Sequence, residues 1–133
     1  EQILLELLRY GADPRRSMSF CFNYSAVHYT LCRKKYHLAE ILLNFDCTLV
    51  DARHYYPGAD YWDISDLHTV ARMGNMDAIQ ILIKYQADPH LLCDGKTAYD
   101  LALENNHIVC ANRLAEYAIE YDFNMSLVNL SLL

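Results

Sequence analysis

The stretch "SDLHTVARMGNMDAIQILIKYQADPH", residues 65–90, reads as one helical hairpin followed by a turn. Ser65 carries a hydroxyl suited to accept from the orphan amides that open a helix, and Gly74 closes the short apolar run behind it. The longer run that follows sets Ala78, Ile79, Leu82 and Ile83 at i, i+1, i+4 and i+5, the stripe of an amphipathic helix. Neither helix can hide its apolar face alone. The unit therefore predicts neighbours of its own kind stacked on it.

Such neighbours exist. "KTAYDLALENNHIVCANRLAEYA", residues 96–118, aligns without gaps when Ser65 is placed over Thr97, and "SAVHYTLCRKKYHLAEILLNFDC", residues 25–47, falls in the same frame. The offsets are 40 from Ser25 to Ser65 and 32 from Ser65 to Thr97, about one helical hairpin each. Leu38, Ala39, Leu42 and Leu43 repeat the apolar stripe, and Ser25 and Thr97 repeat the cap. Residues 1–16 match the second helix and turn of one more unit.

"SAVHYT" at Ser25, "SDLHTV" at Ser65 and "TAYDLA" at Thr97 resemble the ankyrin signature T-P-L-H-x-A. "LLRYGADP" and "LIKYQADP" are similar to the ankyrin LLxxGAD ending. The resemblance implies an all-α, ankyrin-like helical solenoid of about three and a half stacked helix-turn-helix repeats with one extended finger loop. The expected divisions are a repeat domain over residues 1–122, with a partial repeat at 1–16 and repeats at 23–50, 63–90 and 95–122. The long finger spans 48–64. The apolar segment 123–133 is expected to cap the terminal repeat or to begin a further element. Three departures qualify the match. Ala26, Asp66 and Ala98 replace the motif proline, which removes its preset backbone angle. Lys34 and Asn106 stand where glycine is usual between the helices, so the second repeat is either strained or turns differently there. The GAD turn is missing after Ala118, and the last helix is expected to run on towards Tyr121.

Composition narrows the function classes. The chain has 133 residues, 53% apolar and 21% charged, which suits one folded domain with a single core. With 17 acidic against 11 basic residues the formal charge is −6, and no Lys/Arg run is present. Phosphate recognition depends on placed cations, so nucleic acid is not the expected partner, whereas a basic protein segment suits the balance. No run approaches the roughly 20 apolar residues of a membrane span. Five cysteines without a CxxC pair predict reduced, mostly buried thiols, hence an intracellular protein, cytoplasmic or nuclear. The opening on Glu1 instead of Met predicts a longer parent chain with flanking domains.

No catalytic or cofactor constellation emerges. His28 and His68 fall on the motif histidine, which the resemblance assigns to local bracing, and His107 sits at the usual position between helices. His90 and Cys93 beside Asp88 lack the four paired ligands of a zinc site, so neither a metal nor a cofactor is expected. "DGK" at Asp94–Lys96 matches an ankyrin hairpin tip and lacks the glycines of a phosphate loop. An enzyme is not expected.

The connection between the second and third units stands out. Thr48 and Ser65 are 17 positions apart against 9 for Asp88 and Thr97, and the extra length holds Tyr55, Tyr56, Tyr61 and Trp62 with Asp51, Asp60 and Asp63 nearby. A longer surface loop costs little closure entropy, and Tyr and Trp are enriched at binding hot spots. The resemblance places this finger at the edge of a concave groove. It also implies groove positions at Tyr24, Cys32 and Arg33, at Ile64, Arg72 and Met73, and at Lys96, Glu104 and Asn105. The expected function is a non-catalytic protein-interaction module. Its alternatives are a substrate-recognition or adaptor part of a ubiquitin-ligase subunit and a structural spacer within a larger enzyme or channel.

Overall fold

The computed structural model describes residues 1–16, 25–54 and 64–132. Seven helices lie among them: α1 (Gln2–Arg9), α2 (Ala26–Cys32), α3 (Tyr36–Phe45), α4 (Asp66–Met73), α5 (Met76–Lys84), α6 (Ala98–Glu104) and α7 (Ile108–Ser131). A 3-10 turn, Cys47–Asp51, follows α3, and two short strands, β1 (Arg53–His54) and β2 (Ile64–Ser65), pair antiparallel with Arg53 opposite Ser65 and His54 opposite Ile64. The expected all-α ankyrin-like solenoid is the observed architecture. The first helices of the hairpins, α2, α4 and α6, stack as one layer, and the second helices, α3, α5 and α7, form the layer behind.

The three hydroxyl caps act as their positions demand. Ser25, Ser65 and Thr97 accept from the backbone N–H of His28, His68 and Asp100 respectively, so each inner helix starts on a satisfied turn. At Thr97 the Asp100 carboxylate returns a bond to the cap N–H, completing a reciprocal box. Ala78, Ile79 and Leu82 of α5 and Ala39, Leu42 and Leu43 of α3 are buried against Val27, Leu31, Leu67 and Val70 of the inner layer, while Ile83 is only partly buried. Tyrosines tie one repeat to the next. Tyr36 donates to Asn75 Oδ1 at 3.0 Å and Tyr117 to the Ala87 carbonyl at 2.6 Å, so apolar rings fill the core while their hydroxyls satisfy polar groups at its edge.

The turns between helices keep their ankyrin geometry despite the missing glycines. Lys34 and Asn106 adopt φ of 58° and 62°, beside 68° at Gly74, so the second repeat carries backbone strain in an unaltered turn. Tertiary packing holds the residue there: Lys35 N–H reaches back to the Thr30 carbonyl at 2.7 Å, as Asn75 N–H does to Val70 at 3.0 Å. Lys34→Gly is accordingly expected to raise stability by about 1 kcal/mol, read as a shift of the urea midpoint. Asp94 and Gly95, at φ 52° and 72°, form the hairpin tip between bridged Cys93 and Lys96.

The segment after Asp122, expected either to cap the terminal repeat or to begin a further element, continues α7 unbroken to Ser131 and leaves Phe123, Leu127, Val128, Leu130 and Leu132 exposed. Nothing in its local sequence stops the helix, since neither glycine nor proline follows Ala118. Among the described cysteines, which were expected to be mostly buried, Cys93 and Cys110 are buried, Cys32 is half-buried, and Cys47 is exposed where it opens the 3-10 turn. Among the described residues no helix is long and apolar enough to cross a membrane.

Candidate functional site

The inner helices end in register, so their last residues form one exposed row. Arg33 closes α2, Arg72 and Met73 end α4, and Glu104 and Asn105 end α6; all five are exposed. The Arg33 guanidinium lies 5.5 Å from the centre of the Tyr29 ring, which orients the cation and covers one ring face. Asn105 Nδ2 donates to the Leu101 carbonyl at 2.8 Å. Lys96 Nζ meets Glu104 Oε1 at 2.7 Å, so these two predicted contact residues neutralise each other along the third repeat. The row thus carries the arginines Arg33 and Arg72 over its first two repeats and a closed ion pair over the last.

Ile64 does not belong to this surface. It is only 3% exposed because its pairing with His54 in the two-stranded base turns the side chain into the protein. Cys32 is half-buried and faces His28 instead of solvent. Tyr24, Tyr55, Tyr56, Tyr61 and Trp62 lie outside the described residues. The base of the predicted finger is nevertheless in place, because β1 and β2 bring residues 54 and 64 side by side.

A second constellation was not visible in sequence. His28 of α2, His54 of β1 and Asp66 at the start of α4 are all buried, and one ligating atom from each lies within 4.8 Å of the others. His28 Nδ1 is 2.6 Å from Asp66 Oδ1, and His54 Nε2 is 2.9 Å from the same oxygen, while the two rings tilt together with centres 4.8 Å apart. Burial by itself would push the Asp66 carboxyl up; the contacts from His28 and His54 outweigh it and hold the group below the usual carboxylate range. Cys32 Sγ lies 3.5 Å from His28 Nε2 on the far side of the ring. The order Cys32, His28, Asp66 is that of a thiol, a base and an orienting acid. Burial, with the Asp66 charge second, pushes the Cys32 thiol up to about 11, the opposite of what a nucleophilic thiolate needs.

This cluster stands where the third repeat has a backbone contact. In the third repeat His68 bonds Ser65 Oγ at 2.6 Å and the Lys96 carbonyl at 3.1 Å, bracing its own turn and the next repeat by backbone. In the second repeat the equivalent histidine, His28, binds a side chain, Asp66, which stands at the motif's proline position. The missing proline therefore supplies an anion. The only sequence signal was an acidic residue at that position, and His54, from the inserted connection, carried none.

Comparisons with known proteins agree with the repeat architecture. The family model described as "Ankyrin repeats (3 copies)" matches residues 56–125. Human "Espin-like protein" is 42% identical over 60 residues, 44% of this chain and 6% of that protein, so the match spans a small part of the relative's length. A chain in the solved complex titled "Bd0816 Predatory Endopeptidase from Bdellovibrio bacteriovorus in complex with immunity protein Bd3460" superposes with a TM-score of 0.67. That likeness covers 86% of this chain and 56% of the other at 24% identity, and it bears on the fold alone. Repeats in register, capped inner helices, left-handed turns between helices and the family match lead to one conclusion: the chain belongs to the ankyrin-repeat family.

Proposed function

We propose that this chain is a non-catalytic protein-interaction module that takes a protein or peptide segment along the exposed row of inner-helix ends, with the inserted finger as a second contact. The observation that carries the reading is the row itself: Arg33, Arg72, Met73 and Asn105 stand exposed at equivalent positions of successive repeats, backed by a closed core. Side chains on a stacked scaffold lose little freedom on docking, so their contacts convert efficiently into affinity. Ankyrin arrays generally mediate contacts between proteins, and the similar solved chain comes from a complex of two proteins, which supports the same class of role.

Charge refines the partner. The overall −6 favours approach of a basic segment at long range, whereas Arg33 and Arg72 place cations at one end of the row. The fitting ligand is a segment of mixed charge, basic towards the acidic finger and carrying an acidic residue opposite the two arginines. Capture of partners from lysate by the unaltered chain, by Arg33→Glu/Arg72→Glu, and by a variant with Tyr55, Tyr56, Tyr61 and Trp62 changed to Ser tests this. Each variant should lose its specific partners while keeping the circular dichroism of the parent. If both folded variants retain them, the reading is wrong.

A further inference from the structure

We propose that His28, His54 and Asp66 form a structural binding site for a zinc-type divalent transition-metal ion, which clamps the second repeat, the base of the finger and the third repeat together. Two neutral imidazoles and one carboxylate are a donor set suited to zinc, while calcium or magnesium would require more oxygen ligands than the cluster offers. All three side chains are buried, and they come from three different elements, α2, β1 and α4. An ion held by them would therefore join parts of the chain that local structure leaves separate.

A second observation points to a ligand. Asp66 Oδ2 is buried and makes no hydrogen bond, although a buried carboxylate oxygen left without a partner is costly. A metal ion bound by both carboxylate oxygens would satisfy it, giving four donors with Nδ1 of His28 and Nε2 of His54. At metal–ligand distances of about 2.0–2.1 Å in a distorted tetrahedron, donor atoms of different residues lie about 3.3 Å apart, while the two oxygens of the one carboxylate stay closer. The present 2.6 and 2.9 Å contacts to Oδ1 are shorter, so ion entry requires the imidazoles and the carboxylate to part by roughly half an ångström, within reach of small side-chain rotations. Cys32 lies behind His28, and its Sγ contact to Nε2 orients the ring so that Nδ1 faces the site, as outer partners of metal-bound histidines do.

The whole 133-residue chain, stripped of metal by a chelator, is titrated with Zn²⁺ by calorimetry and with Co²⁺ by visible absorption. Two variants accompany it: His54→Gln, and His90→Ala, which removes the exposed His90–Asp122 pair as a competing surface site. One equivalent should bind, with a four-coordinate cobalt band, and saturating zinc should raise the thermal midpoint by about 5–10 °C. His54→Gln should weaken binding about 100-fold, and His90→Ala should leave it unchanged. Absence of both zinc heat and the cobalt band in the unaltered chain overturns the site and leaves a cluster held by hydrogen bonding and charge alone. Binding that survives His54→Gln but disappears in His90→Ala also overturns it. Because the cobalt measurement uses the unaltered chain, a variant that fails to fold cannot protect the idea.

Discussion

Asp66→Ala should destabilise the fold by about 3–5 kcal/mol, the range seen when one member of a buried charged network is removed. The carboxylate is 1% exposed and is approached by both His28 and His54. Its loss leaves the His28 Nδ1 donor aimed at a cavity and releases β1 from the start of α4. A small domain has only about 5–15 kcal/mol in total, so the variant should unfold at markedly lower urea concentration and lose the helical signal near ambient temperature if the parent is at the low end. Asp66→Asn should cost less, because an amide oxygen still accepts from one imidazole. A loss under about 1 kcal/mol for the alanine variant would show that the cluster is peripheral to stability.

Leu82→Ala should cost about 2–5 kcal/mol. Leu82 is fully buried in α5, the helix that packs on α3, α4 and α7 and so lies between the second repeat and the last. Truncation removes apolar surface from the shared core and leaves a void that neighbours on both sides cannot close without shifting the stack. In a solenoid whose units support each other only through their neighbours, a defect at this central helix also weakens coupling along the array. Denaturation followed separately by far-ultraviolet circular dichroism and by Trp62 fluorescence should then give transitions that no longer coincide. Coincident curves with a small midpoint change would show that the repeats do not depend on this layer.

Much of the scaffold is legible along the chain because its causes are local and periodic. Ser25, Ser65 and Thr97 cap helices through atoms three residues away, and the apolar stripes recur at the helical period, so capping and facing follow from spacing alone. The same logic placed the left-handed turns at Lys34, Gly74 and Asn106, although only the repeat packing decided that lysine would accept the strain. The ends of the inner helices, Arg33, Arg72, Met73, Glu104 and Asn105, were named through the family resemblance, and they lie exposed. Whether neighbours in that row would pair, as Lys96 and Glu104 do, was not legible.

What tertiary structure decided has no period. Ile64 looked like a groove residue until its pairing with His54 turned it inward, and the tail, legible as either a cap or the start of a further element, extends α7 to Ser131. His28, His54 and Asp66 lie up to 38 positions apart, in a helix, a strand and another helix. Their meeting depends on the stacking of two hairpins around an inserted connection. Sequence by itself determined a stack of capped helical hairpins, because each hairpin is built from contacts a few residues apart. Only the folded stack could turn a residue at the motif's proline position into the anion at the centre of a buried cluster, because that position acquires its partners from elements the local chain never meets.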